Sequence, residues 1–281
     1  MKLDVLICTC NDRITRVPDV LLAPRADVSY IVSMQYTDES FLRQVPEVLR
    51  NRSDITPLFL PGKGLSRNRN NAIAAATGDV ALIADDDVRY KPEYFDRVLS
   101  VFQENPSVDV AQFMLNVEGK NPIKPYASYS HPYEARPKGS YITSPELAFR
   151  PARVRSRIRF NEHFGLGTEQ LGSGEEEVWV HDAWRAGLSV QFFPYRIADI
   201  PAAETTGARI YTDKSVMRAK GAVCYHIYGA STRLRMVKFA WISAAQGKAN
   251  FFVLLYHTWS GIVYYLKHKI GHENSAVGRS K

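Results

Sequence analysis

Apolar residues in the first half of the chain fall in short, nearly unbroken runs, at residues 3–8, 28–34, 55–60, 79–84 and 108–115. Runs of that length, rich in leucine and β-branched residues, read as strands buried on both faces. Between them, residues 40–50, 65–76 and 92–103 have helical length and spacing, with Pro92 at a first turn where its missing N–H costs nothing. Buried strands alternating with helices predict an α/β fold with a mostly parallel central sheet flanked by helices. The rhythm breaks over 118–144, where four prolines and four tyrosines predict loops and irregular strands that either cover the core or line a binding surface. A helix over 175–186, stopped by Gly187, and a strand over 189–194 follow.

The last part of the chain is helical and aromatic. Residues 232–246 read as one helix after Ser231 as its cap. Residues 251–266 are uncharged and precede Lys267, His268 and Lys269. This run is shorter than the roughly 20 residues a membrane-spanning helix needs. It reads as a core helix or as an interfacial one with flanking lysines, with true insertion as the third alternative. The expected division is a catalytic domain over 1–230 and a helical extension over 231–281, a candidate for peripheral membrane contact.

Composition narrows the classes. With 281 residues, 45% hydrophobic and 11% aromatic, the chain is not a disordered one. A net charge of +7 suits phosphorylated ligands or an acidic membrane surface. A nucleic-acid module would explain that charge but not the acidic clusters below, so no nucleic-acid partner is expected. Three cysteines cannot all pair, which fits a reducing, cytoplasmic setting. The opening MKLDVLICTC reads as a first strand rather than a signal peptide.

The chemistry concentrates in three segments. ALIADDDV places Asp85, Asp86 and Asp87 at the C-terminal end of a strand, the edge where ligands collect in open α/β sheets. Three adjacent carboxylates repel, unless they form a solvated turn or a cation compensates them. Mg2+ or Mn2+ with a diphosphate would do so. An extended chain would point Asp85 and Asp87 to one side and Asp86 to the other. PGKGLSRNRNNAI brings Lys63, Arg67 and Arg69 to a helix start, where free amides and positive charge suit phosphate. It lacks Walker A spacing, and no GxGxxG follows the first strand. Thr9, Asn11 and Asp12 after the first strand, and Gln35 after the second, are candidates for base or ribose contacts. In FGLGTEQLGSGEEEVWVHDAWRAG, glycines suggest a pliable loop before an acidic helix start. Helical spacing puts Glu176, Trp179, Val180 and Ala183 on one face, so Glu176 is expected to turn inward as a general base. Glu175 and Trp179 are acceptor-side candidates.

In that order the segments resemble family 2 glycosyltransferases of the GT-A fold, over residues 2–230. VLICTCNDR is similar to the family's opening strand and turn. GLSRNRNNAI is similar to G-L-S-x-A-R-N-x-G, which puts Arg69 and Asn70 on the usual Arg and Asn. IADDDV resembles the DxD region, implying Asp85 toward the donor's sugar or ribose, Asp86 beside it and Asp87 on the metal. GEEEVWVHDAWRAG resembles G-E-D-x-x-F-x-x-R, with Glu176 on the catalytic Asp and Trp179 on the aromatic position. His226 lies where several GT-A enzymes place a histidine on metal or diphosphate. The chain departs at Gln35, which replaces a base-binding acid, at Asn68, which replaces a small residue, and at Asp182, which replaces an Arg. The resemblance implies metal-assisted, inverting transfer from a UDP- or GDP-sugar to a saccharide or lipid-linked glycan, in bacterial surface polysaccharide or glycolipid synthesis. It sets the reaction in the cytoplasm or at the inner face of the cell membrane. A sugar nucleotidyltransferase and a non-catalytic binding relative are the alternatives.

Overall fold

The computed structural model describes residues 1–117, 122–201 and 206–272. Its strands are β1 (Leu3–Cys10), β2 (Val28–Tyr36), β3 (Ile55–Pro61), β4 (Val80–Asp85), β5 (Val110–Val117), β6 (His131–Pro132), β7 (Leu147–Phe149) and β8 (Val190–Ile200). They form one sheet in the order β3-β2-β1-β4-β7-β5-β8-β6. β3, β2, β1 and β4 run parallel, as do β5 and β8, while β7 is antiparallel to both its neighbours. The register sets Cys10 beside Gln35, Gln35 beside Leu60 and Cys8 beside Asp85, so the C-terminal ends of these four strands share an edge. The β5–β8 register slips between Gln112 and Leu115. Pro194, lacking an N–H, lies in the slipped stretch of β8.

The helices are α1 (Val48–Asn51), α2 (Leu65–Ala75), α3 (Pro92–Glu104), α4 (Pro151–Val154), α5 (Glu175–Arg185), α6 (Lys214–Tyr228), α7 (Thr232–Ala245) and α8 (Phe251–Lys267). The chain divides into two compact units. One comprises Met1–Lys63, Arg67–Arg159 and Asp182–Ala203; the other comprises Gly64–Ser66, Phe160–His181 and Glu204–Lys281.

The first unit holds the sheet, packed through Val5, Ile7, Val32, Leu82, Phe102 and Phe113. Two of its segments depart from expectation. The helix expected over 40–50 is a 3-10 turn, Glu39–Gln44, and then the short α1, because Pro46 cannot continue a helix. The turn after β1 is a ten-residue 3-10 segment, Asn11–Val20, that buries Ile14, Val17 and Val20. That spacing of three matches the three residues per turn of a 3-10 helix.

The tyrosine-rich stretch lies outside the described residues at 118–121 and is otherwise tied down by one acid. Glu146 is fully buried and accepts from Gln112 (2.8 Å), Tyr126 (2.6 Å) and Thr143 Oγ1 (2.7 Å). Lys124 pairs with it at 2.6 Å. Burial pushes the Tyr126 phenol upward, and the adjacent carboxylate adds to this.

The second unit packs Phe164, Leu171, Val178, Ala222, Val223 and Tyr265 together. α6 and α8 cross with their backbones in contact. A Cβ at Gly221 would meet the Thr258 carbonyl at 1.9 Å, and one at Gly261 would meet the Arg218 carbonyl at 1.9 Å. Ser231 caps no amide of α7; its hydroxyl donates back to the Tyr228 carbonyl.

Candidate active site

In the first unit the acidic triplet splits into an anchor and an exposed pair. Asp86 is buried, and it accepts from Thr9 Oγ1 at 2.6 Å and from Arg13 Nε at 2.9 Å, with Arg13 Nη2 on its other oxygen. Asp85 and Asp87 keep side chains 38% and 33% exposed. Asp85 ends β4, while Asp86 and Asp87 lie in the turn that follows and share Arg13 Nη2, so the alternation expected of an extended chain does not apply. Arg69, itself buried, pairs with Asp85 at 3.5 Å, and Arg13 reaches Asp87 at 3.3 Å. The hydrogen bond to Asp86 raises the Arg13 pKa further, so its charge is permanent. Two arginines therefore supply part of the compensation the triplet needs. Arg13 went unrecognised in the sequence, where it is one of two arginines in the segment after β1.

The neighbouring strand ends are fixed by amide side chains. Asn68 is buried and donates to the carbonyls of Thr9 and Ser33, both at 3.0 Å, so it ties the ends of β1 and β2 together. A small residue could not make that bridge. Asn11 sits in left-handed backbone, φ +49°, which Asn tolerates better than most residues. Its Oδ1 accepts from the Thr37 amide at 2.9 Å, linking the turns after β1 and β2. Gln35 is 3% exposed, and its Nε2 has no hydrogen-bond partner among the described residues. A buried amide donor left open at a strand end is costly unless a ligand or water completes it. Lys63 is exposed on the loop before α2. Cys8 is buried and its thiol is pushed up to about 12 by burial, whereas Cys10 is exposed.

Asp85 and Asp87 fit a hard divalent cation, since Mg2+ commonly takes one or two carboxylates together with phosphate oxygens. Among the described residues no group of three or more His, Cys, Asp or Glu side chains converges on a cation position. A cation held here would therefore draw on substrate oxygens as well.

In the second unit α5 begins with Glu175, Glu176 and Glu177. The expected order of burial differs. Glu175 is the most enclosed, 4% exposed, and Glu176 is half-buried with its Oε2 shielded from solvent. The reason is local. Gly165, at φ +103°, has no side chain, and the Glu175 carboxylate fills that space, 3.1 Å from where a Cβ would stand. The glycine loop is packed: a Cβ on Gly174 would come within 2.6 Å of Val223. Trp179 is fully buried and stacks on Phe160 with ring centroids 5.1 Å apart, which makes it part of this unit's core. His226 lies within α6 rather than in a turn. Its Nδ1 is 2.9 Å from Tyr265 Oη, and its ring meets His181 edge-on with centroids 5.5 Å apart.

No curated protein matches the chain in sequence. Among solved structures it is similar to S. aureus TarS 1-349, with a TM-score of 0.58 at 18% identity, over 85% of this chain and 70% of that one. The likeness extends to the TarS 1-349 complex with UDP-GlcNAc, with a TM-score of 0.53, 18% identity and coverage of 85% and 71%. Against the longer TarS structure the TM-score is 0.54 at 18% identity, and the match spans 85% of this chain and 43% of that one. These likenesses establish the GT-A fold expected from the alternating strands and helices. The model of "Glycosyl transferase family 2" matches residues 5–161, more than half of the chain, taking in the Thr9 turn, Arg69 and the whole acidic triplet. On that match the chain belongs to glycosyl transferase family 2 and is a glycosyltransferase.

Proposed function

We propose that the chain transfers a sugar from a nucleoside diphosphate sugar to a hydroxyl of its acceptor, with inversion at the sugar's C1. The observation that carries this reading is the split triplet. Asp86 is committed to Thr9 and Arg13, which leaves Asp85 half-exposed beside the buried Arg69 and Asp87 half-exposed beside Arg13. In this role Asp85 orients the donor's sugar or ribose, while Asp87 holds Mg2+ or Mn2+. A bound cation would neutralise charge on the departing diphosphate. Arg69 and Lys63 add fixed positive charge for the same oxygens. Gln35 takes the nucleobase, whose edge would complete its open amide. The similar TarS structures with UDP-GlcNAc and with UDP favour uracil among the bases.

Glu176 serves as the general base. It accepts the acceptor's hydroxyl proton as that oxygen bonds to C1 and the bond from C1 to the diphosphate breaks. Glu175, enclosed against Gly165, positions the start of the same helix. His226 remains a candidate for the diphosphate or the metal. The acceptor on this reading is a saccharide or lipid-linked glycan of a bacterial surface polymer, glycosylated on the cytoplasmic side.

The test is release of nucleoside diphosphate from a panel of UDP- and GDP-sugars, with Mg2+ or Mn2+ present. One donor should be turned over, and Glu176→Gln should slow it by about 100-fold or more. The reading fails if no donor in the panel binds or reacts, or if Glu176→Gln and Asp87→Asn both match the parent.

A further inference from the structure

The second unit carries a surface that sugar transfer leaves unexplained. Among the described residues, seventeen large hydrophobic side chains are exposed, and eleven of them lie between Tyr228 and Leu266. On α8 the outward residues include Phe252, Tyr256, Trp259, Val263 and Leu266, at successive spacings of four, three, four and three. That spacing makes one continuous stripe along the helix. The opposite face, with Leu254, Thr258, Gly261 and Ile262, is buried, so α8 has an inner and an outer apolar side. α7 adds Leu234, Val237 and Trp241 on its own exposed side. Trp241 meets Phe251 edge-on at 6.4 Å between centroids, and Phe251 meets Phe252 at 5.2 Å, which joins the two stripes.

Charge on this part of the chain has one sign. From Lys214 to His272 there are six lysines and three arginines and no aspartate or glutamate. Lys267 and Lys269 stand exposed just past the end of the α8 stripe, and Arg233, Arg235 and Lys238 are exposed on α7. No described helix is long and apolar enough to cross a membrane. At 17 residues α8 is about 25 Å long, suited to lying flat.

We propose that the joined outer face of α7 and α8 binds the surface of an anionic lipid bilayer, with α8 in the plane of the headgroups. The aromatic residues favour this, because Trp and Tyr combine an apolar body with a polar tip that suits the bilayer interface. The charge favours it too, because basic residues near an apolar stripe are attracted to anionic headgroups. A second copy on the same face would set two wholly basic surfaces against each other, which like-charge repulsion opposes.

The experiment uses the full chain and vesicles of phosphatidylcholine, with and without about one third phosphatidylglycerol. The parent should co-sediment with the phosphatidylglycerol vesicles, and binding should weaken with added salt. The double variant Phe252→Glu with Trp259→Glu changes only exposed positions, and a thermal melt checks that it stays folded. It should bind about tenfold or more weakly. The milder pair Lys267→Gln with Lys269→Gln should also weaken binding while leaving the apolar stripe intact. Three results would overturn the proposal: no preference of the parent for phosphatidylglycerol, unchanged binding by both variants, or a parent dimer that the double variant splits without any vesicle binding. None of these readings involves sugar transfer, so the proposal stands or falls apart from the reaction.

Discussion

Glu146 and the Asp85–Asp87 triplet are two acidic centres in the same unit, and they solve the problem of a carboxylate in opposite ways. Glu146 is wholly buried and saturated, with Lys124, Gln112, Tyr126 and Thr143 all directed at its two oxygens. The triplet buries only its middle member and leaves the outer two half-exposed beside arginines. A saturated acid has nothing left to offer a ligand and holds chain segments together. A half-exposed acid with a fixed neighbour stabilises little but keeps oxygens available.

The strongest way to break this contrast is at Glu146. Glu146→Ala should cost about 3–5 kcal/mol of stability, because it strands a buried lysine; a denaturant melt reads this directly. Asp87→Asn should do the reverse, slowing donor turnover by about 100-fold, near 2.7 kcal/mol, with a melt within about 0.5 kcal/mol of the parent. If Asp87→Asn destabilised as much as Glu146→Ala, the triplet would be structural and the distinction would disappear. Arg13→Met should fall between them, costing about 1.5–3 kcal/mol in the melt by removing a charged partner from buried Asp86. It should also slow turnover as Asp86 loosens. The smallest change, Thr9→Val, removes one hydrogen bond to Asp86 and should cost about 1 kcal/mol. Equal effects of Arg13→Met and Thr9→Val would mean that the hydroxyl holds the anchor as firmly as the guanidinium does.

Much of this architecture was readable from the chain. The strands ending at Cys10, Tyr36, Pro61 and Asp85 follow from unbroken apolar runs, whereas the alternation expected over Asp85 to Asp87 does not apply because the chain turns at Asp86. What escaped were features set by tertiary contact. The partner of Asp86 is Arg13, 73 residues away in sequence, and no local pattern distinguishes it from Arg16. The burial of Glu175 depends on the missing side chain of Gly165, so helical spacing alone pointed to Glu176. The 3-10 segment at Asn11–Val20 did leave a trace, apolar residues every third position, although that period is easily mistaken for half of a helical one. Antiparallel β7 has three residues, too few for any periodicity to register.

The cysteines give the proposed donor edge a chemical reporter of its own. Cys8 and Cys224 are buried with thiols raised by that burial, while Cys10 is exposed at the end of β1. Burial of part of its side chain, then the Asp86 charge, raise the Cys10 thiol as well, so its alkylation is slow but selective. Mass spectrometry after maleimide treatment should therefore find one adduct per molecule. A nucleotide seated over the β1 and β2 ends would slow its appearance, which turns occupancy of the edge into a labelling rate measurable without any acceptor.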